Sequence, residues 1–164
     1  MILGMPTFTF VHVVISLIGI FSGVVAVFGL LNSRKLPVWS AAFLISTALT
    51  SITGFLFPFQ KFLPSHALGI ISLAVLALAF PALYVFHLAG SWRRIYVITA
   101  VTALYLNVFV LIAQLFGKVP ALKALAPTQK EPPFLVSQLV VLILFISVGT
   151  LAAKRFRLDA VRTA

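Results

Sequence analysis

Charge is absent from long stretches of this chain. Residues 1–33 carry none, and neither do 36–60, 62–92, 95–117 or 132–153. Each stretch is long enough to supply the roughly 20 apolar residues with which a helix crosses a hydrocarbon core. A helix satisfies its own backbone hydrogen bonds inside lipid. No part of the chain shows the short segments of alternating polarity that build a membrane barrel. The pattern predicts an all-α, polytopic integral membrane protein. Its single transmembrane domain is a five-helix bundle with helices at about 8–31, 38–59, 66–90, 95–117 and 134–152. The breaks fall at 32–37, 60–65, 91–94 and 118–133, and the last holds prolines 120, 127, 132 and 133. Proline starts or stops helices more readily than it continues them.

Basic residues set the expected orientation. The first and third connections and the tail hold Arg34, Lys35, Arg93, Arg94, Lys154, Arg155, Arg157 and Arg162. The second and fourth hold only Lys61, Lys118, Lys123 and Lys130. The richer side is expected in the cytoplasm, which puts the N-terminus out and the C-terminus in. Trp39, Trp92 and Tyr96 then fall at the inner boundary as an aromatic belt. A four-helix alternative, with one segment merely interfacial, would put both termini on one side and lose this bias. The N-terminus has no basic region ahead of a short apolar core, so the first run is expected to be a retained helix rather than a cleaved leader. His12 and a basic turn bracket the first helix, and His66 and Arg93-Arg94 bracket the third, the pattern of a parallel internal repeat or of convergent topology.

Composition agrees with this picture. The chain has 164 residues, 62% hydrophobic and 9% charged, too little charge to cover a soluble domain. The net charge of +10 does not signal nucleic acid, because the cations sit at the ends of apolar runs and not on one face. The expected surroundings are a lipid bilayer, with partner membrane subunits or further copies of the chain as candidate neighbours. The chain resembles small bacterial inner (cytoplasmic) membrane proteins; that resemblance implies a location and no activity.

Polar residues in lipid are expected to face other helices. At about 100° per residue, Tyr96, Ala103, Asn107 and Gln114 form one stripe on the fourth helix. Ser40, Thr47, Ser51 and Gly54 form another on the second. The first helix brings His12, Ser16, Gly19 and Gly23 together, and its glycine pair permits close approach. Gln138 shares a face with Gly149 on the fifth. Interhelical packing accounts for such stripes without any ligand. Pro81 is expected to kink the third helix, with Tyr84 and His87 one turn apart near its inner end; His87 is expected to snorkel or to bond a backbone carbonyl.

The chemistry is bounded mainly by what is missing. Cysteine is absent, which excludes disulfides and thiolate sites. The two acidic residues, Glu131 and Asp159, lie outside the expected helices, so carboxylate relays and carboxylate-bridged metal centres have no ligands at depth. No nucleophile–base pair or nucleotide fingerprint appears, and enzymatic activity of the chain alone is not expected. What remains is an outer-leaflet cluster: His12, His66, Gln114 and Gln138, beneath a proline-rich loop with Gln129 and Glu131. The sharpest expectation is a haem b ligated by His12 and His66 as the metal-binding pair, with Lys61 or Lys118 near its propionates. The related one is a quinone hydrogen-bonded by His or Gln. Either would make the chain a small electron-transfer subunit. The competitors are a non-catalytic accessory subunit of a larger membrane complex and a small oligomeric transporter or channel for a neutral solute.

Overall fold

The computed structural model describes residues 6–57 and 64–157. These form six helices: α1 (Thr7–Leu31), α2 (Pro37–Gly54), α3 (Pro64–Tyr84), α4 (Trp92–Lys118), α5 (Pro120–Leu125) and α6 (Pro132–Arg155). All but α5 are long and apolar enough to cross a membrane. Lys61, Asp159 and Arg162 lie outside the described residues, as do residues 58 and 59 of the expected second helix. Proline is the first residue of α2, α3, α5 and α6, where its missing N–H costs nothing and its fixed φ suits a helix start.

The helices form a ring with one outrigger. α2 packs between α1 and α3, and α4 packs against every other helix. α1 and α3 therefore face each other across the ring rather than side by side. α6 lies outside the ring, against α4 and α1. One end of the bundle gathers the N-termini of α1, α3 and α6 with the C-termini of α2 and α4; it is called here the histidine end. The opposite end carries Arg34, Arg93, Arg94 and Arg155 and is called the arginine end.

The arginine half is filled. Phe43, Leu44, Leu76, Tyr96, Val97 and Leu104 are each no more than 2% exposed. Gly23 is what lets α1 reach this core. A methyl group there would stand 2.7 Å from Leu104 Cδ1 and from the Phe43 ring. The pairing of Gly19 and Gly23 is thus a close-approach face, as the small-xxx-small spacing implies. The outer surface is the reverse of a soluble protein's. Phe21, Phe28, Ile45, Ile70, Leu139 and Ile146 all stand at least half exposed.

α2 ends at Gly54 rather than near residue 59: the N–H groups of Phe55 and Leu56 turn to the carbonyls three residues back, and residues 55–57 are not helical. Two further features differ from the sequence reading. α3 ends at Tyr84 rather than near residue 90, and Pro81 lies within its last turn. The chain leaves the helix through wide turns: the Pro81 carbonyl accepts both Val85 N–H and Phe86 N–H at 2.9 Å, and Ala82 accepts Leu88 N–H at 2.9 Å. His87 and Leu88 are left-handed, with φ of 47° and 63°. Such a backbone stops a right-handed helix, and is unfavourable for a bulky residue; burial of Leu88 to 2% exposure holds it there. The second difference is α5, a short helix in the connection read as irregular because of its prolines.

Close packing at Gly23 has a measurable consequence. Gly23→Ala places a methyl group against a buried ring and should cost about 1–3 kcal/mol, the range for overpacking a filled core. Gly54→Ala, which meets only His12 Cε1 at 3.9 Å, should be tolerated. Thermal melts of the two variants in detergent compare them directly; equal melting temperatures would remove the close-approach role of Gly23.

Candidate functional site

The histidine half of the ring is hollow. A cavity of about 520 Å³ lies between α1, α2, α3 and α4. It runs from Thr9 to Ile20 along α1 and from Leu106 to Val119 along α4, about 16–20 Å of helix, or over half of a hydrocarbon core. Leu, Ile, Val and Phe share its walls with the hydroxyl residues Thr9, Ser16, Thr50, Ser51, Ser65 and Ser72. His12, His66, Asn107, Gln114 and Lys118 stand among them.

Sequence alone brings His12, His66 and Gln114 together, and in the structure they line this one space, from α1, α3 and α4. Asn107 and Ser51 join them from the two stripes. Asn107 Nδ2 donates to Thr47 Oγ1 at 2.9 Å, and Ser51 Oγ lies 3.0 Å from Ser72 Oγ. Thr47 is fully buried behind Asn107. Gly19 makes room for this floor: a methyl group there would meet Ser46 Oγ, Thr47 Oγ1 and Asn107 Nδ2 at 3.1, 3.4 and 3.6 Å. Polar side chains thus close the cavity toward the packed half, where the α2 and α4 stripes cross.

Gln138 is elsewhere. It is 8% exposed and donates from Nε2 to the Phe109 carbonyl at 3.1 Å, joining α6 to α4 and lining no part of the cavity. The proline-rich loop does not cover the cavity mouth either. Gln129 donates to the Ala113 carbonyl at 2.7 Å, and Phe116, Ala126 and Phe134 pack together beneath the loop, which fastens it over α4 and α6. Within it the Glu131 carboxylate accepts from the Thr128 hydroxyl at 2.8 Å and from the N–H groups of Thr128 and Lys130 at 3.1 and 3.0 Å. Desolvation, the largest single influence, pushes this carboxyl up, but the hydrogen bonds together outweigh it and hold the carboxyl below its ordinary value. At the arginine end, Tyr84 is 47% exposed and stacks on Phe80, while His87 occupies the left-handed turn. Tyr96 is 1% exposed, within the core rather than at a belt. Its hydroxyl lies toward Ser40 but has no partner at hydrogen-bonding geometry.

The residue missed by sequence is Thr53. Its hydroxyl lies 2.8 Å from His12 Nδ1. A hydroxyl has one proton, and that of Thr53 is directed to the Leu49 carbonyl at 2.7 Å. With that proton on the Leu49 carbonyl, Thr53 would accept from Nδ1–H, and the Nε2 lone pair would be left for the cavity. Phe57 seats the ring edge-on at 5.1 Å and packs on Phe8 at 4.9 Å. The spacing of Thr53 carried no signal that separates it from the other hydroxyl residues of α2. His66 is 5% exposed, with Phe55 5.9 Å away. Thr50 Oγ1, also at the cavity, is buried without a hydrogen-bond partner. Buried polar atoms are nearly always paired, so this orphan invites a polar atom from a guest. No group of three or more His, Cys, Asp or Glu positioned to hold a metal occurs among the described residues.

No protein-family model, curated protein or solved structure matches this chain.

The tautomer of His12 can be read by ¹⁵N NMR of histidine-labelled protein, with His12→Gln assigning the signal. The expected result is a protonated Nδ1 and a bare Nε2 in the native protein. The signature should be kept in Thr53→Ser and lost in Thr53→Val, which has the shape without the acceptor. A native His12 protonated on Nε2 would contradict the assignment.

Proposed function

We propose that the chain spans the bilayer five times, with its histidine end outside and its arginine end in the cytoplasm, and binds a flat, lipid-soluble redox ligand of the haem b or quinone class in the cavity between α1 and α4. In this reading it is a small electron-transfer subunit of a bacterial inner membrane. The observation that carries it is the convergence of His12, His66, Gln114 and Asn107 on one cavity, whose other walls combine aliphatic and aromatic side chains with several hydroxyls. Apolar side chains with placed polar groups among them, within roughly 300–1,000 Å³, are the ordinary build of a small-molecule site.

The residues suit each ligand in definable ways. For haem, His12 would offer Nε2, with Nδ1 held 2.8 Å from the Thr53 hydroxyl, the outer-shell support that histidine ligands ordinarily have. His66 comes from the facing helix, as two-helix ligation requires. Lys118 at the cavity mouth suits a propionate. For a quinone, the Gln114 amide and Lys118 ammonium are donors toward carbonyl oxygens, and the aliphatic and aromatic side chains suit the ring and the first part of a tail. The packed arginine half weighs against a through-going pore in a single chain.

Absorption spectra of protein purified in mild detergent, with extraction of bound cofactors, test this reading. The expected result is a Soret band or a co-extracted quinone, reduced about tenfold or more in His12→Ala, with the thermal melt unchanged. Protein that carries neither, and takes up neither haemin nor a short-chain quinone on titration, would overturn it.

A further inference from the structure

A second hollow, of about 790 Å³, opens at the arginine end between α4 and α6. Four cations converge on it: Arg93 and Arg94 from the first turn of α4, Lys154 from the last turn of α6, and Arg157 just beyond. Arg157 is not carried on a loose tail. Phe156 beside it is 1% exposed in the core. Ser33 Oγ donates to the Arg155 carbonyl and accepts the Arg157 N–H at 3.4 Å. The α1–α2 turn thus holds this cation over the groove.

Among the described residues, the groove is lined by four cations and no acidic side chain. Of the chain's two carboxylates, Glu131 caps the far end of the 24-residue α6, about 36 Å away, and Asp159 lies outside the described residues. Between the cations the groove is lined by Gly149, Thr150 and Ala153 of α6 and by Ile98 of α4, the last 56% exposed. The feature is a basic rim above a cleft between two membrane-length helices. Basic pockets of this kind on the cytoplasmic side hold phosphate-bearing lipid headgroups, and arginine matches phosphate oxygens two at a time.

We propose that this groove binds the headgroup of an anionic phospholipid, with a two-phosphate glycerophospholipid preferred over a one-phosphate lipid. Arg93 and Arg94 contact one phosphate from α4, Lys154 and Arg157 contact the other from α6, and the first acyl carbons lie on Ile98, Gly149 and Ala153. The proposal rests on the membrane-spanning reading and is independent of any guest in the histidine-end cavity.

Native mass spectrometry of the full-length protein in detergent, titrated with diphosphatidylglycerol, phosphatidylglycerol or phosphatidylcholine, tests it. Retention should follow that order. The pairs Arg93→Gln/Arg94→Gln and Lys154→Gln/Arg157→Gln should each weaken diphosphatidylglycerol binding by roughly fivefold per charge removed. Lys123→Gln/Lys130→Gln, which removes two charges at the other end, should leave it unchanged. Thermal melts verify that each variant is folded. Equal retention of diphosphatidylglycerol and phosphatidylcholine, or equal losses in the control pair, would overturn the proposal. So would displacement of the lipid by inorganic phosphate at equal concentration, which would assign the groove to a soluble anion. Failure of the membrane-spanning reading is distinguishable: the protein would appear in an alkaline carbonate wash instead of the membrane pellet.

Discussion

The constraint on which the structure depends is that a polar group left unpaired in an apolar surround is costly. The backbone meets it by being helical. The hydroxyl side chains meet it mostly without help from another helix: Ser16, Ser22, Ser46, Ser51, Thr53, Thr99, Ser137, Ser147 and Thr150 each donate to the carbonyl four residues earlier. Side chains too long or too branched in their chemistry for that solution must reach across. His12 reaches Thr53, Asn107 reaches Thr47, and Gln138 reaches the Phe109 carbonyl. Such bonds are worth about 0.6 kcal/mol each between membrane helices, so they do not hold the bundle together. Packing at Gly23, Phe43 and Leu104 does that, and the polar bonds decide which way a few functional side chains point.

The two halves of the bundle follow from this division. The arginine half is built from large apolar side chains meeting a glycine and has no room to spare. The histidine half is built where helices carry polar or small residues at Ser16, Ser51, Gly54, Gly69 and Asn107, and these leave a space instead of filling it. The Asn107–Thr47 pair marks the boundary. A cavity with a polar floor, walls that mix apolar side chains with hydroxyls, and an imidazole held at Thr53 is a consequence of where the small and polar residues stop.

Much of this was legible from the sequence. Five uncharged runs gave five membrane-length helices, because charge is the one property those helices cannot tolerate. The His12–His66–Gln114 grouping was legible because all three sit near helix ends that the topology brings to one side. Depth alone could not place Gln138. Its helix lies outside the ring, and helix adjacency is set by packing that a single chain of apolar residues does not spell out. The outward-facing Ser137, Ser147 and Thr150 show why polarity is a weak guide to facing: a hydroxyl bonded to its own helix needs no neighbour. Thr53 was missed for the same reason, since nothing in its spacing distinguishes an acceptor for His12 from another self-satisfied hydroxyl. The end of α3 depended on two left-handed residues, His87 and Leu88, of types that rarely announce such a backbone.

The central claim is that the histidine and arginine ends lie on opposite faces of a membrane. The chain has no cysteine, so a single introduced thiol is an unambiguous marker. Ala124 and Ser91 are both exposed, one at each end. In intact cells a membrane-impermeant maleimide should label Ala124→Cys at once and Ser91→Cys only after permeabilisation. Labelling of both variants in intact cells, or of neither until the membrane is opened, would contradict the account.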